Sequence, residues 1–424
     1  MTTFGFLWVI ITAYCFFKKD VKYMAFITLL FMCFQSTNVL VWGDAGVGPQ
    51  LLTSIVFIGY CIVHTGGVLR IGKRKNEDNI TFLLLLLLAV ILYSSYINDV
   101  LQEVYIRIIQ LAIYIICFIC MGRTLGGLEK DTVYHMIRNV TIIIAVLGAV
   151  QWLTTARVLP LGNILKALIY NETNQNLAFD GSAIRLYSTF MEPSYFAGFV
   201  VGAIYYLLSI SAKWKENMIL LAVLFIELLL SKSSTGFGAF LLVGIVFVAM
   251  SHNISAQWKI AIVAVAAIGF LFLYFGFYDL LDTVIFSKMG SGSYQVRNGW
   301  DRYALQIYET SPWFGIGYKQ TRGSSIIYSL LGQLGIWGLI SYILMNLKVC
   351  LPMISKKEHT IYSMMSDGVR LALLAAVVCQ VIACPDLDLC TYWFWMYAVA
   401  LHPVISETRL KHRNYYIGRM QANR

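Results

Sequence analysis

Between Arg185 and Arg322 the chain keeps a set of charged side chains whose types and spacing suit one kind of chemistry. Arg185 precedes a Glu-Pro-Ser triplet, Glu192, Pro193 and Ser194, and a long apolar run follows. Proline is tolerated in the first turn of a helix, where its missing N–H would be unpaired anyway. Glu192 therefore falls at a helix entrance, where the positive end of the helix dipole favours a carboxylate. Farther along, Arg297, Arg302, Lys319 and Arg322 crowd one polar segment that also holds Trp300. A guanidinium presents a rigid fork of donors matched to phosphate oxygens and stays charged at any relevant pH. Such a set suits a diphosphate, and arginines stabilise the charge that develops if the diphosphate leaves. Glu192 can accept the proton of an attacking hydroxyl, hold Arg185 by ion pairing, or cap its helix, and the sequence leaves these open. The arginines also have a plainer use, in binding ordinary lipid phosphates or loop carboxylates.

The scaffold that must position these groups is legible in composition. Of 424 residues, 59% are hydrophobic and 13% charged, where soluble domains carry about 25% charged residues. Several runs reach the roughly 18 apolar residues that cross a bilayer. The expected fold class is an all-α polytopic integral membrane protein with about 13 transmembrane helices, 12 to 14 allowing for merged spans. They are expected near 3–17, 23–42, 50–69, 80–98, 104–121, 133–153, 188–209, 217–231, 235–250, 258–278, 325–346, 369–384 and 389–405. No basic residue precedes the first, which reads as a retained span rather than a cleaved signal.

The formal charge of +10 would suggest nucleic acid in a soluble protein. Here the basic residues cluster in alternate short loops, so they act as topology signals and no nucleic-acid partner is expected. Arg70 to Lys75, Arg123 to Lys130, Lys213 with Lys215, Lys356 with Lys357, and Arg409 to Arg424 fall on one side, read as the cytoplasm. Six segments follow: N-terminal spans over 1–154, a first large outer loop over 155–187, and central spans over 188–278. A second large outer loop covers 279–324, C-terminal spans 325–405, and a basic cytoplasmic tail 406–424.

Basic residues are unusual in outer loops beside spans, yet Arg297, Arg302, Lys319 and Arg322 crowd the second one. Within it, residues 291–308 have helical periodicity, with Trp300, Ala304 and Ile307 on one face. Arg297 and Asp301 stand four residues apart and would share a face. The helix should stop before Pro312, and Gly315 and Gly317 supply a flexible turn. Asp301 and Glu309 are reserve bases, expected to pair with neighbouring arginines. No acidic pair at ligand spacing is read near the Glu192 mouth, and none of the six histidines is clustered, so no metal and no other cofactor is expected.

Four elements, in order, resemble one family. Arg185-x2-Ser188-Thr-Phe190-x-Glu192-Pro-Ser194-x-Phe196-Ala197 is similar to the Arg…Glu-Pro-Ser-x-Phe-Ala element of Wzy-type O-antigen and capsular polysaccharide polymerases. Leu230-Ser-Lys232-Ser-Ser-Thr-Gly236 resembles their Ser-x-Ser-x-Thr-Gly turn. Arg297-x2-Trp300 with Ser311-Pro-Trp-Phe-Gly-Ile-Gly317 resembles their Arg…Trp…Pro-x-Phe-Gly-x-Gly loop, and Gly332-x2-Gly335-x2-Gly338 the glycine-rich helix after it. The resemblance covers roughly residues 185–340. It implies an inner-membrane glycosyltransferase of the GT-C type, inverting and metal-independent, with its active site facing the periplasm. The donor would be a glycan on undecaprenyl diphosphate, and the acceptor the non-reducing end of another lipid-linked repeat. Membrane lipids, a chain-length regulator and a flippase are the implied partners. Glu192, Arg185, Arg297 and Arg302 would be catalytic, and Lys232, Arg322, Tyr195, Trp300 and Lys319 would bind substrate.

Two other classes stay in view. The ligases of the same superfamily carry a histidine in the second large loop, and residues 278–324 contain none. A transporter or flippase should place ionisable groups near the midplane and show repeat symmetry. Only Arg107 and Glu227 stand clearly within spans, and no internal repeat is visible. The nine cysteines read mainly as buried thiols, although Cys384 and Cys390 flank an outer loop and could be bridged.

Overall fold

The computed structural model describes residues 1–43, 45–64, 75–125, 128–171, 185–210, 213–250, 292–350 and 361–402. The span expected near 258–278, the basic tail, and parts of both large loops lie outside the described residues.

Fourteen helices and one two-stranded hairpin make up the described chain. In order they are α1 (Thr3–Phe17), α2 (Val21–Met32), β1 (Leu40–Trp42), β2 (Ala45–Val47), α3 (Pro49–His64), α4 (Lys75–Ile97), α5 (Leu101–Leu125) and α6 (Lys130–Thr155). There follow α7 (Gly162–Leu168), α8 (Pro193–Ser209), α9 (Trp214–Ser231), α10 (Ser234–Met250), α11 (Gly292–Thr310), α12 (Ile326–Cys350), α13 (Ile361–Ala383) and α14 (Cys390–Leu401). Five of them carry stretches long and apolar enough to cross a membrane: Asn79–Ile97, Leu101–Leu125, Lys130–Thr155, Ile326–Cys350 and Met364–Ala383. Large apolar side chains such as Ile10, Phe82, Ile219 and Ile245 are exposed on helix faces, as a hydrocarbon solvent requires. The protein is all-α and built for a membrane.

The expected span at 23–42 is overturned. Its helix ends at Met32, and the polar run Gln35 to Asn38 crosses the interior as irregular chain. Buried backbone needs partners, and here side chains supply them. Ser36 Oγ donates to the Phe190 carbonyl at 2.6 Å, Thr37 Oγ1 to that of Ile169 at 2.7 Å, and Asn38 N–H to Asn171 Oδ1 at 2.6 Å. This run therefore holds the approach to α8 in place, and the chain then turns back as the antiparallel β1–β2 hairpin.

α8 is the central element. Every residue from Tyr195 to Leu207 is buried, the mark of a helix surrounded by others. It packs most extensively on α13, and also touches α9, α10 and α14. Two glycines permit that approach: a Cβ at Gly198 would lie 3.2 Å from Cys379 Sγ, and one at Gly202 would lie 2.5 Å from the Trp395 indole nitrogen.

α12 breaks at Gly335, whose φ of 63° is left-handed. A Cβ there would meet the Trp313 backbone at 2.4 Å, so the loop after α11 fits against the break only because the residue is glycine. The break frees the carbonyls of Gly332 and Gln333, which accept from Ile316 N–H at 3.1 Å and Gly317 N–H at 3.0 Å. Ile336 N–H donates in return to the Pro312 carbonyl at 2.8 Å. The turn read as flexible is pinned to a helix break. Ser94 of α4 adds a bond to the Gln333 carbonyl at 3.0 Å, and Asn98 one to that of Gly315 at 3.2 Å.

Candidate functional site

Glu192 occupies the N-cap position of α8 with extended backbone, and Pro193 opens the helix. The side chain makes no capping bond; Tyr195 and Phe196 N–H donate instead to the Glu192 carbonyl at 3.1 and 3.2 Å. Of the readings left open for the carboxylate, capping is removed. Its Oε2 accepts from Ser194 Oγ at 3.1 Å, and the residue is exposed.

Arg185 is aimed by α6. Gln151 Oε1 accepts from Tyr187 and Ser188 N–H, both at 3.1 Å, and its Nε2 donates to the Arg185 carbonyl at 3.4 Å. The guanidinium then reaches the end of α9, donating from Nε to the Ser231 carbonyl at 3.3 Å and from Nη2 to that of Lys232 at 3.2 Å. Carbonyls in the last turn of a helix lack intrahelical partners and carry the negative end of its dipole. Lys232 ends α9 with φ 48°, and the α9–α10 turn is tight, as expected. The Lys232 side chain is exposed, so this residue orients Arg185 through its backbone. Burial lowers the pKa of Arg185, Glu192 opposes that shift, and the charge of Arg297 lowers it further. Arg185, Glu192 and Arg297 thus share one electrostatic neighbourhood.

Arg297 comes from α11, which seats Ala304 and Ile307 in the interior against α12, as the periodicity predicts. Trp300, placed on the same face by periodicity, is exposed, and the Arg322 guanidinium lies over its ring at 5.2 Å. Asp301 does not pair with a neighbouring arginine. Its two oxygens accept from Ser324 N–H and Oγ, each at 2.7 Å, closing the loop between α11 and α12. Arg302 and Glu309 are exposed on α11, and no described residue engages either charge.

Lys319 has left-handed backbone, φ 59°, held by its N–H donating to Gln333 Oε1 at 3.1 Å. Its ammonium lies 2.6 Å from Asp386 Oδ1 and 2.9 Å from Asp388 Oδ1, on the α13–α14 loop. Here a sequence expectation fails: an acidic pair does lie near the mouth, and the cation between its members is a lysine. Burial penalises the ammonium, but Asp388, Tyr318 and Asp386 outweigh this and raise its pKa. Burial likewise penalises the Asp388 carboxylate, and Lys319 outweighs that and lowers its pKa. Asp386 is tied to three other elements: Gln380 Nε2 donates to its carbonyl at 2.7 Å, Lys319 to Oδ1, and the Tyr195 hydroxyl to Oδ2 at 3.4 Å. Arg107, exposed on α5, adds its charge to the field at Asp388. Cys384 and Cys390 at the ends of this loop are free, buried thiols, which removes the bridge considered for them.

The site therefore has two halves that meet at Glu192, whose charge acts on Arg185 and on Tyr195. One half is cationic, with Arg185 and Arg297. The other carries Asp386, Tyr195, Lys319 and the Arg322–Trp300 stack. The Asp-x-Asp spacing was the signal that could have found the missing carboxylates. Compared with known proteins, the chain matches no family model and no curated sequence.

Proposed function

We propose that this chain is a polysaccharide polymerase. It transfers a glycan from undecaprenyl diphosphate to the non-reducing end of a second lipid-linked repeat, at the outer face of a bacterial inner membrane. The observation that supports this reading is the Arg185 guanidinium, held by the Ser231 and Lys232 carbonyls at the end of α9 beside the Glu192 entrance to α8. Arg297, exposed on α11, and Glu192 both contribute to the field at Arg185. A diphosphate has the charge and the oxygen geometry to be met by such guanidiniums. On this reading the chain crosses the membrane about 13 times, in the manner of GT-C enzymes.

The derived chemistry is short. The acceptor hydroxyl attacks the anomeric carbon from the face opposite the diphosphate, inverting the centre. The guanidiniums stabilise the charge gathering on the departing phosphate oxygens. Trp300 offers a face for a sugar ring, and Arg322 reaches the same region through its stack on Trp300; Tyr195 is buried and enters the site through its hydroxyl bond to Asp386. Lys319 acts through the carboxylates it holds.

The test is reconstitution of the purified protein with a defined undecaprenyl-diphosphate oligosaccharide, with and without chelator. Elongation to a ladder of repeats, undiminished by chelator, supports the proposal. No elongation sinks it, and chelator-sensitive elongation sinks its metal-free mechanism.

A further inference from the structure

We infer that Asp386 is the general base of this reaction, accepting the proton of the acceptor hydroxyl, with Lys319 as the residue that positions it. The assignment rests on the polymerase reading above.

A base must first be in place, and then have a lone pair to give. Among the described carboxylates of the site only Asp386 meets both conditions. Both oxygens of Asp301 are taken by Ser324 at 2.7 Å. Asp388 is the more buried member of its pair, with 11% of its side chain exposed. Glu192 is exposed, is bonded through its side chain only to Ser194 two residues away, and lies in the field of Arg185. Asp386 is fixed through its carbonyl and through Oδ1, while Oδ2 has only the long 3.4 Å contact with Tyr195. With 30% of its side chain exposed, it can pass a proton on to water.

The step balances without a metal or redox partner. The acceptor O–H proton goes to Asp386 Oδ2 as the acceptor oxygen bonds to the anomeric carbon. The bond from that carbon to the phosphate oxygen breaks, its electron pair leaves with undecaprenyl diphosphate, and Asp386 releases the proton to water.

The test uses full-length Asp386→Asn in the reconstituted elongation assay. Asparagine keeps an oxygen for Lys319, and Asp388 still neutralises the ammonium, so the loop should hold. Turnover should fall about 10²- to 10⁴-fold, the usual contribution of a positioned base, while undecaprenyl-diphosphate oligosaccharide binding changes less than about threefold. The low-pH limb of the wild-type rate profile should vanish in this variant, and Asp386→Glu should restore part of the rate. An Asn variant keeping more than a tenth of wild-type turnover, or keeping the low-pH limb, overturns the assignment and leaves the polymerase reading standing. If the Asn variant does not fold, Asp386→Glu decides, since an unmoved low-pH limb overturns the assignment. A wild type that elongates nothing defeats both.

Discussion

Replacing Lys319 with methionine removes the ammonium between two carboxylates while keeping a long flexible stem. Asp388 is left with 11% side-chain exposure and no cation within salt-bridge distance among the described residues, and Asp386 with 30%. Removing one partner of a buried ion pair costs about 3–5 kcal/mol, against about 0–1 kcal/mol for an exposed pair. The Asp388 contact stands near the first limit and the Asp386 contact nearer the second. The expected loss is therefore about 3 kcal/mol, or about two powers of ten in the unfolding equilibrium. Unfolding in detergent micelles, followed by tryptophan fluorescence, reads that change. Because the loss comes from uncompensated charge, Lys319→Met with Asp386→Asn and Asp388→Asn should recover at least half of it. A single variant within about 0.5 kcal/mol of wild type, or a triple variant less stable than the single, refutes the reasoning.

Gly335→Ala should cost about 2–5 kcal/mol, combining a left-handed backbone penalty with a Cβ 2.4 Å from the Trp313 backbone. Gly59→Ala, inside α3 with nothing within 4 Å, is the control and should cost nothing, gaining up to about 1 kcal/mol from helix propensity. The same unfolding measurement checks both. The pH dependence of the Lys319 bridge follows from its two shifts. The raised ammonium contributes stability below the ordinary lysine value and loses it as pH rises through the folded value. The lowered Asp388 carboxyl contributes above the ordinary aspartate value and loses it as pH falls through the folded one. In Lys319→Met the buried Asp388 carboxylate loses its cation and favours the neutral form, so the stability difference from wild type should be largest near neutral pH and shrink as pH falls toward the ordinary aspartate value. A difference that grows as pH falls would contradict it.

Local pattern was readable where neighbours in sequence decide the outcome. Among the described residues the apolar runs other than 23–42 became helices, Pro193 opens α8, and the face carrying Ala304 and Ile307 is the one α11 buries. Long-range pairing was not readable. The break after Met32 depends on Ser36 meeting the carbonyl of Phe190, 154 residues away. Three glycines stood in the α12 pattern, and only the approach of Trp313 decides that Gly335 takes the positive φ. Asp386 and Asp388 acquire their setting from Lys319, 67 and 69 residues earlier in the chain. The charged residues of the α11–α12 segment were found by type, but their partners were misassigned. Asp301 closes a backbone loop, and Lys319 is bound by carboxylates instead of standing free.

The central claim is that Arg185 and Arg297 together grip a lipid-linked diphosphate. The direct measurement is the affinity of purified, full-length protein for undecaprenyl-diphosphate oligosaccharide, in wild type and in Arg185→Gln, Arg297→Gln and the double variant. Each single change should weaken binding by about 10- to 100-fold, as loss of a charge-assisted bond does. The double change should be less than additive, because the two guanidiniums share one anion. Unchanged affinity in both single variants, with the protein folded, would contradict the account.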